Sequence, residues 1–201
     1  GINRGKLGFL ADVSPDEIEA RLGEVLSGDY TTEEHFLLEG EVEGHDEVPC
    51  ALNEILIHSV NMPKMIEVEL YVNDQFVYTL NSDGLIVSSP TGSTAYALSA
   101  GGPIMHPSLD AIVLVPMFPH SLNNRPLVVP GHDEIRIVIG SDTHMKAKVS
   151  FDSHLEFQIE PGDSLLIRKK PEHLVLVHPP GHSFYGVCKS KLDWASRNTN
   201  R

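Results

Sequence analysis

Apolar residues alternate with polar ones along Ile66, Val68, Leu70 and Val72, set against Glu67, Glu69, Tyr71 and Asn73. A period of two predicts a strand with one buried and one solvated, here acidic, face. Asn73-Asp74 then turns the chain into residues 75–80, which predicts a hairpin. Further short apolar runs predict strands at 51–57, 85–87, 111–115, 135–139, 146–151, 155–159, 165–167 and 174–177, separated by Gly, Pro and Asp turns. Strands this short and this regularly spaced predict a mostly β fold, an antiparallel β-sandwich. The period differs near the start. Ile18, Leu22, Val25 and Leu26 recur at helical spacing, with Ser14 as N-cap, Pro15 in the first helical position, Glu17 completing a capping box and Gly28 as the stop. Residues 185–194 predict a short closing helix. The resulting division is a small α/β segment at 1–30, the sandwich at 31–182 and a C-terminal segment at 183–201.

Composition narrows the partners. At 201 residues and 41% hydrophobic content the chain buries a substantial core. Its formal charge of −13 argues against nucleic acid or an anionic membrane surface, both of which need a basic face. Two cysteines, Cys50 and Cys188, stand far apart in no metal-like spacing, which points to reduced thiols and a cytoplasmic location. Eleven histidines raise the question of a metal. No two of them lie at a spacing that one helix or hairpin would bring together, so they are expected at the surface with no metal site.

Candidate chemistry concentrates between Asn81 and Pro103. An apolar strand enters Pro90-Thr91-Gly92-Ser93, where glycine permits close approach of the backbone to a ligand, and residues 94–100 would follow as a helix whose first N–H groups suit a phosphate or ribose hydroxyl. A well-capped turn without a ligand has the same composition. Asn53 and Glu54 interrupt the 51–57 strand and must face opposite sides of it. An amide reads an adenine edge and a carboxylate accepts from a ribose diol, although an edge strand with two solvated residues fits the pattern as well. Asp83 precedes Gly84 at a turn, where aspartate commonly serves the turn itself. Ser93 lacks the Gly-x-Ser-x-Gly frame of a hydrolase nucleophile, and there is no Walker A lysine motif.

The run Asn-Ser-Asp-Gly-Leu-Ile-Val-Ser-Ser-Pro-Thr-Gly-Ser-Thr-Ala-Tyr-Ala-Leu-Ser-Ala-Gly-Gly-Pro closely resembles the signature of NAD kinases. Residues 1–10, Leu52-Asn53-Glu54 and the 114–128 stretch with Val115-Pro116-Met117-Phe118-Pro119-His120 resemble three further family segments in the same order. The resemblance implies an ATP-dependent kinase acting on the 2′-hydroxyl of the adenosine ribose of NAD, with Mg²⁺ carried by ATP. It implies a two-domain fold in which residues 1–30 are the remnant of a Rossmann-like N-terminal domain and 183–201 pack back on it. It also implies NAD contacts at Asn53, Glu54, Asp83, Thr94, Ala95, Tyr96 and Ser99, with Tyr96 as a purine platform and Asp83 reaching the nicotinamide end in a neighbouring subunit. Lys64, Asn81 and His154 fall where further contacts vary, and Asn81 replaces a basic residue common there. A homodimer or homotetramer is implied, with Met117 and Phe118 at loop tips near the subunit contacts. The family's Gly-Gly-Asp-Gly motif, with its proposed catalytic aspartate, does not occur in this sequence. The chain is therefore expected to lack a catalytic residue and to be inactive alone. A related lipid or sphingoid-base kinase, or a non-catalytic nucleotide-binding module, are the alternatives.

Overall fold

The computed structural model describes residues 1–2, 4, 9–11, 13–60, 65–141, 146–192 and 194. Lys64 and the middle of the 1–10 segment lie outside the described residues. By contacts the chain divides into two units, Gly1–Glu34 with Val175–Arg201, and His35–Leu174.

The second unit is built on two six-stranded sheets. The first runs β2 (Cys50–Ala51), β1 (Thr31–Val42), β12 (Ser164–His178), β9 (Ile135–Ile139), β4 (Ile66–Val72), β5 (Gln75–Ser82). The second runs β11 (Leu155–Ile159), β10 (Ala147–Phe151), β3 (Glu54–Ser59), β6 (Gly84–Ser88), β7 (Ala111–Met117), β8 (Leu127–Pro130). The alternation read from sequence is realised in β4, where Ile66, Val68 and Leu70 are buried and Glu67 and Glu69 half-buried. Asn73 and Asp74 adopt φ of 49° and 61°, the left-handed pair of a type I′ turn that matches strand twist. Leu38, Ile55, Ile57, Val68, Leu85, Val87, Leu114, Ile137 and Leu165 from both sheets form one core, the contact that makes this a sandwich.

Strand β6 is buried throughout, and the reason fixes the position of the polar loop after it. Leu85 and Val87 enter the main core, while Ile86 joins a second cluster with Ala97, Met105, Val113, Val115 and Met117 on the other face. Ala97 belongs to α2 (Tyr96–Ser99), so this second cluster anchors the loop and its helical turn to the sheet.

Several sequence expectations are corrected. The 165–167 and 174–177 strands are parts of one strand, β12, which runs through Pro171; the locked φ of proline is compatible with extended backbone. The 51–57 strand is broken at Leu52-Asn53, so Asn53 precedes β3 and only Glu54 belongs to it. Residues 94–100 are not one helix: a 3₁₀ turn at Gly92–Thr94 and the four-residue α2 are separated by Ala95, whose φ of −98° and ψ of −127° are not helical. Met117 ends β7 and is buried. The loop-tip residue is Phe118, 76% exposed at a φ of 45°.

The first unit contains a parallel bridge between Ile2 and Val13, a 3₁₀ turn at Pro15–Glu17, α1 (Ile18–Leu26) and α3 (Phe184–Lys191). Ser14 makes no side-chain cap to the backbone. Its hydroxyl instead donates to the Glu17 carboxylate at 2.6 Å, so only half of the expected capping box is formed, the half in which Glu17 accepts the Ser14 backbone N–H. Ser183 does cap α3, accepting from the Gly186 N–H. Gly28 follows α1 at a φ of 89°, as a helix stop requires. His35 and His178 are buried, against the expectation of surface histidines. No helix among the described residues is long and apolar enough to cross a membrane.

Candidate functional site

Glu54 opens β3 opposite Ser88, the last residue of β6, so the strand pair delivers its carboxylate to the end of the sheet where the polar loop begins. The residue is 7% exposed, and its Oε2 has no hydrogen-bond partner among the described residues. Burial first, and the nearby Asp152 charge second, push its pKa up to about 7, while the Tyr96 backbone N–H pulls the other way. A buried acceptor of this kind is costly in water-free surroundings and is satisfied by donors such as ribose hydroxyls.

Asp152 holds this corner together. It sits with Ser153 in the left-handed turn between β10 and β11, at φ of 47° and 58°. Its carboxylate accepts from three successive backbone N–H groups, Leu52 at 2.6 Å, Asn53 at 2.8 Å and Glu54 at 3.1 Å. The break in the strand at Leu52-Asn53 is thus a structured one, its donors turned to a carboxylate instead of a neighbouring strand. Sequence reading does not single out Asp152, since nothing local shows that residues about a hundred positions away supply its partners.

The serine-rich loop closes over the same backbone. Ser89 N–H donates to the Asn53 carbonyl at 2.9 Å, Ser89 Oγ to the Leu52 carbonyl at 2.5 Å, and Ser88 Oγ to the Asn53 carbonyl at 3.2 Å. A Cβ at Gly92 would stand 2.1 Å from the Asn53 carbonyl oxygen, so this glycine allows the loop to pack on the Asn53 backbone. The sequence reading had assigned that close approach to a ligand. Ser93 Oγ donates to the Pro90 carbonyl at 2.6 Å and accepts from Met105 N–H at 2.9 Å, locking the loop from behind. Thr91 Oγ1 meets the ring of buried His35 at 2.7 Å.

The predicted residues separate into two groups. Asn53, Glu54, Thr94, Ala95 and Tyr96 lie around this corner, with Thr94 and Ala95 half-buried and Tyr96 43% exposed. Ser99, at the end of α2, is exposed and lines a cleft with Met117, Phe118 and Arg125. His154 is exposed in the Asp152 turn, its ring nitrogen bonded to the Asp152 carbonyl. Asp83 lies at the other end of β6, beside Gly84, which pairs with His58. Four residue steps along the strand separate Gly84 from Ser88, about 13 Å. Asn81 is at that end too, its amide donating to Glu67 at 3.3 Å. One chain therefore brings the Glu54 corner together and leaves Asp83 and Asn81 apart from it.

Fold and site together define a two-sheet antiparallel sandwich with a buried carboxylate, unpartnered at Oε2 among the described residues, at its strand ends. Comparison with known proteins places it more closely. Residues 52–179 match the ATP-NAD kinase C-terminal domain. The NAD kinase of Teredinibacter turnerae is 54% identical over 203 residues, covering 100% of this chain and 69% of the relative, and that of Saccharophagus degradans is 54% identical over 199 residues, covering 98% and 68%. Among solved structures, yeast NADH kinase complexed with NADH superposes with a TM-score of 0.89 at 29% identity, covering 97% of this chain and 59% of that one. An NAD kinase from Archaeoglobus fulgidus in complex with ATP gives 0.82 at 29% identity, covering 96% and 72%. The chain belongs to the NAD kinase family, a family of transferases, and spans about two thirds of the curated relatives it matches.

Proposed function

We propose that this chain is the NAD-binding part of an NAD kinase that transfers the γ-phosphoryl group of ATP to the 2′-hydroxyl of the adenosine ribose. The observation that carries the reading is Glu54 Oε2, buried and with no partner among the described residues, at a corner also formed by Asn53 and the Tyr96 backbone. Solved family structures that hold NADH and ATP support nucleotide binding by this fold. Glu54 accepts the ribose hydroxyls, Asn53 reads the base, and Tyr96, partly exposed on α2, offers a stacking face. Phosphoryl transfer then depends on aligning the hydroxyl with the donor.

The two carboxylates of this corner, Asp152 and Glu54, do not fit a resident Mg²⁺. Both Asp152 oxygens accept backbone N–H groups, and Glu54 stands partly protonated near neutrality. The ion belongs to the ATP phosphates in this reading. Asp83 contributes to the nicotinamide end from a neighbouring subunit of a homodimer or homotetramer. The free thiols Cys50 and Cys188 suit a cytoplasmic setting.

Calorimetry with NAD tests the site. Glu54→Ala leaves ribose hydroxyls without their acceptor and is expected to cost about 1–3 kcal/mol of binding. Wild-type affinity in that variant would remove Glu54 from the site. With no Gly-Gly-Asp-Gly motif in its sequence, the 201-residue chain alone is expected to form no NADP above background from NAD and ATP.

A further inference from the structure

His35 is a polar side chain buried where its neighbours are not. On β1 the alternate residues Phe36, Leu38 and Val42 enter the core, so His35 shares the opposite face with Leu37, Glu39 and Glu41. Those three are half-buried, whereas His35 is 1% exposed. A buried imidazole calls for a hydrogen-bond partner. Thr91, 56 positions later in the loop after β6 and itself 6% exposed, supplies one, with its Oγ1 2.7 Å from His35 Nδ1. The pair works with either tautomer of the ring, because a hydroxyl both donates and accepts. His35 and Thr91 belong to the same unit of the chain.

Thr91 occupies the N-cap position of the 3₁₀ turn at Gly92–Thr94, yet its hydroxyl makes no cap bond to that turn. The hydroxyl is directed to β1 of the first sheet instead. The backbone ahead of it is tied in turn: Thr94 Oγ1 donates to the Thr91 carbonyl at 3.2 Å, and Ala95 N–H donates to the Gly92 carbonyl at 2.8 Å. Hydrogen bonds therefore run from the His35 ring through Thr91 to Thr94, and Ala95 and Tyr96 follow directly in the chain. We propose that His35 is a positioning residue for nucleotide binding, holding the 91–94 turn so that Thr94, Ala95 and Tyr96 stand at the Glu54 corner. This role presupposes that the corner holds a nucleotide. The Ser88 and Ser89 bonds tie the loop to the 52–53 backbone beside the second sheet, and His35 ties it to the first, so removing the ring frees one anchorage and leaves the other.

The test is calorimetry with NAD on the 201-residue chain, beside amide hydrogen exchange in the free protein. His35→Leu fills most of the ring's volume but removes its nitrogens, and Thr91→Val keeps the shape of the side chain and removes its hydroxyl. Each should weaken NAD binding about tenfold and speed exchange of the Ser93 and Ala95 N–H groups by a similar factor, while the β4–β9 ladder exchanges as in wild type. The double variant should be no weaker than either single one, since both break the same bond. His35→Asn should restore most of the affinity, because its amide places an oxygen or nitrogen where Nδ1 stood. A ring that only filled space would give the reverse order, with His35→Leu the better variant. If circular dichroism shows His35→Leu to be unfolded, Thr91→Val decides. Wild-type affinity or wild-type exchange in Thr91→Val, or a folded His35→Leu that binds as well as His35→Asn, would overturn the role of His35 and leave NAD binding in place. A wild-type chain that binds no NAD would instead refute the nucleotide reading of the corner, and this role with it.

Discussion

Glu54 carries a thermodynamic signature that can be measured without any ligand. Its carboxyl has an ordinary value of 4.5 in the unfolded chain and is raised to about 7 in the fold, so the native state binds the proton more tightly than the unfolded state does. Below pH 4.5 both states are protonated and the residue costs nothing. Between pH 4.5 and 7 stability falls as pH rises, and above pH 7 the full penalty, on the order of 2–3 kcal/mol, is present. Glu54→Gln keeps the shape and removes the charge. Thermal melts should show the variant more stable than wild type at pH 8, with the difference vanishing near pH 4; equal melting temperatures at both would mean that the carboxylate is better solvated than its 7% exposure indicates. In the proposed role of Glu54, binding competes with stability at one side chain.

At the scale of elements, the corner is a junction of three segments: the 52–54 break, the 152–153 turn and the 88–93 loop. Each supplies the hydrogen bonds another lacks, since Asp152 takes the donors of the break and Ser88 and Ser89 take its carbonyls. Gly92 is the point of closest approach. In Gly92→Ala the new Cβ meets main-chain atoms of Asn53, at 2.1 Å from the oxygen and 2.4 Å from the carbon, and backbone cannot swing aside as a flexible side chain does. Urea unfolding should show a loss of about 2–4 kcal/mol, and NAD affinity should fall with it because Tyr96 is displaced. Gly28→Ala is the comparison: nothing lies within 4 Å of its Cβ, so its cost is only the strained φ of 89°, about 1 kcal/mol. A Gly92→Ala variant as stable as wild type would show that the loop does not rest on the Asn53 backbone.

For the whole molecule, the separation of Asp83 from Glu54 along β6 bears on assembly. Phe118 at 76% exposure and Leu122 at 87% sit at the mouth of one cleft, an apolar pair that a second copy would cover. Light scattering at micromolar concentration should give a mass of at least twice 22.1 kDa. Phe118→Ser with Leu122→Ser should lower the mass toward one chain while leaving the melting temperature nearly unchanged, since neither side chain enters the core. A monomeric wild type would end the idea that Asp83 completes a neighbour's site.

Periodicity alone determined the sandwich class, the 66–80 hairpin with its Asn73-Asp74 turn, and the apolar β6 strand, because alternation and turn chemistry are local properties that burial only reinforces. Motif order alone pointed to the family and to Asn53-Glu54 and the 90–99 loop. Local signals failed where the cause is distant. The sequence around residue 52 reads as unbroken strand, and only Asp152, arriving from the β10–β11 turn, supplies the acceptors that allow the break. Gly92 looks like a ligand-binding glycine until the Asn53 carbonyl is found against it. Histidine placement is likewise a long-range matter: His178 is buried beside Glu33, 145 positions earlier in the chain, which no local spacing shows. Burial and through-space charge are sums over neighbours that only folding assembles, so the protonation of Glu54 was decided by tertiary structure.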